Sequence, residues 1–181
     1  FVRDTQTGAT QMASVTPTGT SANAESFQPS LSGDGRYVVF RSGAWNLVGT
    51  ETKGIQNVFR RDLSTGTTQL VSADSFGNPA NSAAGDPSMS ADGQRVSFSS
   101  AATNLVADPD FAPYNDIIVK DLQTWTFVRV STTPDGRAGN RSSNMSQISG
   151  DGTHVAFSSS ASNLLPQDSI TNPDAFLATL P

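Results

Sequence analysis

The sequence contains no cysteine and only one histidine, His154. Without cysteine there is no disulfide, no thiolate metal site and no thiol catalysis. A Ser-His-Asp triad would have to use His154, yet no serine lies in the strand–elbow–helix context of such a nucleophile. We therefore expect a protein that is not an enzyme.

Charge and long apolar runs are also scarce. Charged residues make up 15% of the chain, and 11 scattered Lys and Arg residues leave a net charge of −5. A nucleic-acid surface would need clustered basic residues. No apolar run approaches the roughly 18 residues of a membrane span. We expect neither nucleic acid nor a membrane span.

What the chain has instead is polar turn chemistry. Apolar residues are only 35% of the total, and the 181 residues include 15 glycines and 10 prolines, with abundant Ser, Thr and Asn. This mixture is typical of many short strands joined by polar turns. The predicted fold class is all-β.

Three segments share one pattern. They are "SGDGRYVVFRSGAWNLV" (32–48), "SADGQRVSFSSAATNLV" (90–106) and "SGDGTHVAFSSSASNLL" (149–165). Two further blocks recur in phase, one on Asp4, Asp62 and Asp121 and one on Asn23, Asn81 and Asn140. Such a period of about 58 residues indicates a repeat protein.

Each unit contains four predicted strands, A to D. Strand A is "QPSLS" (28–32) or its equivalent, and an Asp-Gly hairpin turn joins it to strand B, in which Val and Phe alternate. Strand C is "NVFRRDL" (57–63) and strand D is "TTQLVS" (67–72). Four such strands bury both faces only when units stack, which favours β-propeller blades over a linear stack or a β-sandwich.

The units divide the chain into four pieces. We predict strands C and D of a first blade in 1–26, a second blade in 27–85, a third in 86–145 and a partial fourth in 146–181. This is about three blades, fewer than the 4–8 of a typical closed propeller. Either the chain is part of a longer propeller, or strands A and B of one copy pair with strands C and D of another in a six-bladed ring.

The stretches "SADGQRVSFSSAATNLV" and "NVFRRDLSTGTTQLVS" resemble the TolB-like, WD40-like propeller repeats called PD40, over essentially the whole chain. The resemblance is greatest to the exported bacterial type, which implies an extracellular or periplasmic protein that binds partners or acts as a scaffold. Alternatives are an accessory or carbohydrate-binding domain of a larger hydrolase, and a purely structural repeat that assembles with further copies. Fold alone does not decide among them.

The loops between strands B and C resemble a cation-binding loop of that family. The candidate Ca²⁺ ligands are Asp110 and Asp116 in the second loop and Asp168 and Asp174 in the third. The alternative is that these aspartates only cap strands and form Asx-turns.

Two tryptophans break the repeat. Trp45 and Trp125 are candidate contacts for a protein or sugar ligand, with packing at the core or rim as the alternative. Trp125 replaces a glycine in the C–D turn, so we expect that turn to be reshaped. The repeated Asn23, Asn81 and Asn140 are expected to anchor loops, with ligand binding as the alternative.

Overall fold

A computed structural model describes residues 1–107, 113–168 and 172–181. Within these residues the secondary structure consists of thirteen strands, and no helix is present. The strands are β1 (Val2–Arg3), β2 (Thr10–Gln11), β3 (Ser26–Leu31), β4 (Tyr37–Ser42), β5 (Asn57–Asp62), β6 (Thr67–Leu70), β7 (Ala84–Met89), β8 (Arg95–Ser100), β9 (Asp116–Asp121), β10 (Phe127–Arg129), β11 (Ser143–Ile148), β12 (His154–Ser159) and β13 (Asp174–Thr179).

The strands form four antiparallel sheets, here called blades 1 to 4. Blade 1 is β1–β2, blade 2 is β3–β4–β5–β6, blade 3 is β7–β8–β9–β10 and blade 4 is β11–β12–β13. Within each blade, every strand pairs with its neighbour in sequence, as the A-to-D order of the repeat predicts. The all-β prediction and the four-stranded repeat are confirmed.

The blades pack face to face through apolar side chains. On β4, Val38 and Phe40 point towards blade 1, whereas Val39 points towards blade 3. The same alternation on β8 and β12 produces one buried cluster between each pair of neighbouring blades. A sheet with apolar residues on both faces needs a neighbour on each side, and the stack supplies one.

Contacts between neighbouring blades are concentrated on the first strands of blades 2, 3 and 4, here called the inner strands. Strand β7 contacts β3 on one side and β11 on the other. The blades therefore converge on these inner strands, which is the radial arrangement of a propeller.

Each inner strand begins two or three residues earlier than predicted, because it contains a β-bulge. The register with the second strand shifts after Phe27, after Gly85 and after Asn144. The next residues, Gln28, Asp86 and Met145, have φ of 51°, 49° and 55°. The bulge interrupts the alternation of side chains, so the sequence pattern does not show the first half of these strands.

The Asp-Gly pairs turn the A–B hairpins, as predicted. Gly35, Gly93 and Gly152 have φ of 74°, 72° and 72°. In the first hairpin, Asp34 Oδ1 accepts hydrogen bonds from the hydroxyl of Ser32 at 2.6 Å and from the N–H of Arg36 at 3.0 Å. This left-handed glycine beside a self-bonding aspartate is the chemistry expected of a tight turn.

Blade 4 already contains the third strand that a second copy would supply in the predicted two-copy ring. Strand β12 pairs with β13 along its whole length, from His154 opposite Thr179 to Ser159 opposite Asp174. The position of strand C in blade 4 is thus occupied by the chain's own β13. A second copy could place its β1 there only if β13 first left the sheet.

Candidate functional site

Two asparagines hold the loop between β4 and β5 against the loop before β3. The N–H of Asn23 donates to Asn46 Oδ1 at 3.0 Å, and the N–H of Trp45 donates to Asn23 Oδ1 at 3.1 Å. The pairs Asn81–Asn104 and Asn140–Asn163 repeat this arrangement in blades 3 and 4. The recurrent asparagines therefore anchor loops, as we expected.

Each of these pairs of asparagines, here called a clamp, presents a different side chain to solvent. The N–H that donates to the first asparagine belongs to Trp45 in blade 2, to Thr103 in blade 3 and to Ser162 in blade 4. Trp45 is 60% exposed, although Leu47 two residues later is fully buried. Blade 2 thus displays a large aromatic surface at a position that the other blades fill with small polar residues.

Trp45 lines an open cavity of about 880 Å³. The other lining residues come from the same loop: Asn46, Val48, Gly49, Thr50, Glu51, Lys53 and Gly54. The wall therefore combines one aromatic face, one carboxylate, one ammonium group and several main-chain polar groups. A concave site with a few polar groups around an aromatic surface is a typical ligand pocket.

The loop around this cavity is anchored to the protein by a buried hydrogen bond. Thr52 is fully buried and donates its hydroxyl to the carbonyl of Ala44 at 3.2 Å. Lys53 and Gly54 then take φ of 54° and 68°, two consecutive left-handed residues that turn the chain back towards β5. A left-handed non-glycine residue costs of order 1–3 kcal/mol, and such strain is found most often at binding sites.

Trp125, the second candidate, lies on blade 3 and covers a charged group of the protein itself. The Lys120 ammonium group lies 4.6 Å from the centre of the Trp125 ring and 4.6 Å from that of Phe127. Lys120 is fully buried and donates at 2.7 Å to the carbonyl of Ala73, which lies just after the last strand of blade 2. Trp125 remains 49% exposed.

Trp125 keeps the left-handed conformation of the glycine that it replaces. Its φ of 62° is close to the 76° of Gly8 and the 70° of Gly66. The turn is nevertheless reshaped: the N–H groups of Gly8 and Gly66 donate to the carbonyls of Asp4 and Asp62, whereas the described residues show no such bond from Trp125, and β10 is 3 residues long where β6 is 4. In blade 2 the guanidinium of Arg61 lies beside Gly66 and donates to the Thr68 hydroxyl. Blade 3 has a lysine between two rings in that place, and this cation–π contact offsets the strain.

Burial lowers the pKa of Lys120 to about 8, and the nearby Asp74 carboxylate opposes that shift. The hydrogen bond to Ala73 and the two aromatic faces favour the ammonium form. Lys120 is thus a buried cation that joins blade 3 to blade 2 and depends on Trp125 for its cover.

Asp116 is engaged within the protein. Its carboxylate lies 3.1 Å from Arg129 Nε, and it accepts a hydrogen bond from the Ser131 hydroxyl at 2.6 Å. As a Ca²⁺ ligand, Asp116 would have to give up a nearly buried ion pair.

The other candidate metal ligands are dispersed. Asp110 lies outside the described residues, Asp168 closes a turn onto the carbonyl of Leu165, and Asp174 is exposed at the start of β13. In the described ranges no three His, Cys, Asp or Glu side chains form a cluster that could hold a metal ion. Calcium binding stays a prediction.

The aspartates that recur at the end of the third strand serve as turn residues. Asp62 accepts hydrogen bonds from the Arg36 guanidinium and from Ser64, and these bonds hold its pKa well below the usual range. Asp4 is bonded in the same way by Thr7 and Gln6. Such carboxylates are ionised and committed to local structure.

Comparisons with solved structures address the fold. The tricorn protease superposes with a TM-score of 0.54 at 14% identity over 86% of this chain, which spans 14% of that protease. A prolyl endopeptidase gives a TM-score of 0.50 at 15% identity over 86% of this chain, and 20% of the endopeptidase is covered.

The β-propeller domain of the Trilobed protease from Pyrococcus furiosus gives a TM-score of 0.49 at 16% identity, over 77% of this chain and 35% of that domain's chain. This chain is an open β-propeller segment. At these identities the likeness concerns the fold alone. No family model and no curated protein sequence matches the chain. No helix long and apolar enough to cross a bilayer occurs among the described residues.

Two structural features were not predicted from the sequence. One is the set of bulges at Gln28, Asp86 and Met145, because bulged residues of different chemistry leave no pattern. The other is the pairing of Lys120 with Trp125. The joint replacement of Arg61, Gly66 and Thr68 by Lys120, Trp125 and Phe127 was the signal that could have revealed it.

Proposed function

We propose that this propeller segment is a binding module that carries out no catalysis itself, and that blade 2 holds its partner at the Trp45 cavity. The carrying observation is that the Asn23–Asn46 clamp displays a tryptophan, 60% exposed, over a cavity of about 880 Å³. Aromatic anchors in concave sites dominate binding energetics.

The partner class that we favour is an extracellular or periplasmic protein. Glu51 and Lys53 place opposite charges on the same rim, which suits a peptide segment that carries both polar and apolar groups. A carbohydrate that stacks on the indole face is the alternative ligand for the same cavity. Export of the protein is part of this proposal and is supported by the resemblance of its repeats to exported ones.

The test uses Trp45 as its own reporter. Replacing Trp125 by phenylalanine leaves Trp45 as the only tryptophan, and its emission is followed during titration with random peptide pools and with neutral oligosaccharides. We expect one of these two classes of probe to change the emission. Calorimetry with the same probe should show that a W45A variant, which lacks the fluorescent reporter, has lost binding. The proposal is wrong if neither class of probe changes the emission, or if W45A binds as well as the parent.

A matched pair of variants separates the cavity from general loosening of the loops. Asn23→Ala removes the acceptor of the Trp45 N–H, and Asn140→Ala removes the same bond in blade 4, where no tryptophan is present. Both variants should lose similar stability. Only Asn23→Ala should weaken ligand binding.

A second candidate is an accessory propeller domain of a larger hydrolase. It is favoured by the two superpositions of TM-score 0.50 or higher, which are with a protease and a prolyl endopeptidase that this chain covers by only 14% and 20%. The complete reading frame decides this alternative, because it would encode a hydrolase domain in the same polypeptide.

A further inference from the structure

Two exposed aromatic side chains lie at the junction between blades 2 and 3. The Lys120 ammonium group lies 4.6 Å from the centre of the Trp125 ring and donates to the carbonyl of Ala73 at 2.7 Å. Ala73 precedes Phe76 by three residues in the link between the blades, and Asp74 is close enough to Lys120 to oppose the lowering of its pKa. Trp125 and Phe76 therefore lie on two loops that share one buried ammonium group, and they are 49% and 89% exposed.

Both aromatic residues replace small or polar turn residues of the repeat. At the junction between blades 1 and 2, the equivalent of Trp125 is Gly66 and the equivalent of Phe76 is Thr18. Thr18 and Phe76 each precede a glycine whose φ is positive, so the backbone of the turn is the same and only the side chain differs. Single exposed apolar residues are common on protein surfaces, but two aromatic replacements at one junction indicate an interaction site.

The loop that carries Phe76 is held in one conformation by Asp74. Asp74 Oδ1 accepts hydrogen bonds from the N–H groups of Phe76 and Asn78, both at 2.9 Å, and Oδ2 accepts one from Asn78 Nδ2 at 3.0 Å. The N–H of Gly77 donates to the Asp74 carbonyl at 3.0 Å, and Gly77 has φ of 83°. Such a fixed loop loses little conformational freedom on binding, which favours Phe76 as an anchor for a partner.

Lys120 determines the charge of the group that suits this surface. Its ammonium group is fully buried and lies against the π electrons of the Trp125 ring. Because this cation draws the π electrons towards itself, a second cation on the exposed part of the ring is repelled, whereas a neutral aromatic ring is attracted. The surface therefore suits a tryptophan, tyrosine or phenylalanine side chain and does not suit a lysine or an arginine.

The polar groups beside the two rings distinguish a protein ligand from a sugar. A sugar that stacks on a ring also needs polar groups that bind its hydroxyls. Here the Asn78 side chain is bonded to Asp74, and the hydroxyls of Thr124 and Thr126 are bonded to each other at 2.7 Å. These groups are engaged within the protein, so an apolar side chain fits the surface better than a sugar does.

We propose that Trp125 and Phe76 form an interaction surface for a partner protein, which places a neutral aromatic side chain between the two loops at the junction of blades 2 and 3. This surface shares no residue with the Trp45 cavity. It goes beyond the function proposed above, so either proposal can fail without the other.

The probe is a displayed library of random dodecapeptides, selected on the whole 181-residue chain. Peptides that also bind a variant with the turn of blade 2 are removed, which discards those that bind at Trp45 or elsewhere. That variant carries Lys120→Arg, Trp125→Gly and Phe127→Thr, which copy Arg61, Gly66 and Thr68. The remaining peptides should share one aromatic residue, and its replacement by alanine or lysine should weaken binding about tenfold or more, as measured by calorimetry.

Phe76→Thr tests the second ring without changing Lys120 or its cover. It copies Thr18 at an exposed position, so the melting temperature should stay that of the parent. We expect the selected peptides to bind this variant about tenfold more weakly. Phe1→Thr, which removes an almost equally exposed phenylalanine elsewhere, is the matched control and should leave the affinity unchanged, as should Trp45→Ala.

Four results would overturn the proposal. One is a selection that yields no peptide specific for this turn. Another is a set of selected peptides whose critical residue is lysine or arginine. A third is equal affinity for the parent and for Phe76→Thr. The last is binding of cellohexaose that Phe76→Thr weakens, which would identify a sugar site instead of a protein surface.

Discussion

The main-chain N–H of Gly33 in blade 2 donates a 2.8 Å hydrogen bond to the carbonyl of Ala91 in blade 3, and the N–H of Ala91 donates another of 2.8 Å to Gly150 in blade 4. These residues immediately precede the Asp-Gly pairs of the three A–B hairpins. Each hairpin turn is therefore linked to the next, in addition to closing its own blade. The repeated Asp-Gly motif connects blades as well as strands.

Ala91→Pro tests this link. Ala91 is the second residue of a turn closed by the bond from the N–H of Gly93 to Ser90, a position that accepts proline. The substitution removes the donor to Gly150 and places the ring against that carbonyl. We expect a loss of about 1–3 kcal/mol in the free energy of unfolding, measured by urea denaturation.

Gly150→Pro is the matched control. It changes the same turn position in blade 4, where the N–H of Gly150 has no acceptor within the described ranges. Its stability should be unchanged or slightly higher, because proline restricts the unfolded chain. Equal losses for the two variants would show that the turn, and not the link between blades, is responsible.

The Asp116–Arg129 pair can be exchanged for its neutral counterpart. Arg129→Leu alone leaves a nearly buried carboxylate without its cation and should cost about 3–5 kcal/mol. The double variant Asp116→Asn with Arg129→Leu copies Asn57 and Leu70 of blade 2 and should recover most of that loss. A double-mutant cycle from urea denaturation measures the coupling, and additive losses would contradict the exchange.

Lys120 makes stability depend on pH in the alkaline range. Its pKa is lowered from 10.5 to about 8 in the folded protein, mainly by burial. Between these two values the unfolded chain binds more protons, so stability should rise with pH from about 8 to 10.5 and be independent of this group below pH 8.

Lys120→Met provides the comparison for that pH dependence. Methionine fills the space between Trp125 and Phe127 without a titrating group. The difference in melting temperature between the two proteins should change across pH 8 to 10.5, the range set by the two pKa values. A constant difference would mean that the Lys120 pKa is not lowered.

Asp86 connects three blades at the inner edge. It accepts a hydrogen bond from Gln28 Nε2 at 2.6 Å and another from the N–H of Met145 at 3.2 Å, while holding φ of 49°. Asp86→Ala should cost about 2–3 kcal/mol, because these donors and the Ser99 hydroxyl lose a charged acceptor and a left-handed alanine is strained. Thermal unfolding measures the loss.

Met145→Gly is the control for the bulge itself. Met145 has φ of 55° and is 65% exposed, so glycine removes strain and little packing. This variant should be as stable as the parent or up to about 1 kcal/mol more stable. If it is destabilised as much as Asp86→Ala, side-chain packing at the bulge matters more than the hydrogen bonds of Asp86.

The sequence by itself determined the repeat and the strand order. Asp34-Gly35 recurs in phase with the Val and Phe residues of strand B, and a local turn followed by a period-two pattern needs no distant contact to be recognised. The asparagine anchors were predicted for the same reason. At Trp125 the sequence predicted a reshaped turn, but not that the tryptophan would keep the left-handed conformation beside Lys120, because that contact depends on side-chain packing.

Only the tertiary structure decided which of these side chains have charge or hydrogen-bond partners within the protein. Asp116 and Asp174 occupy equivalent places in the sequence, yet the outer strand of blade 3 gives Asp116 an arginine and a serine, whereas β13, which carries Asp174, has no outer strand beside it among the described residues. Trp45 and Trp125 differ likewise, since one lines a cavity and the other covers a lysine. Burial and charge partners depend on which side chains meet across strands and between blades, and only the folded chain brings them together.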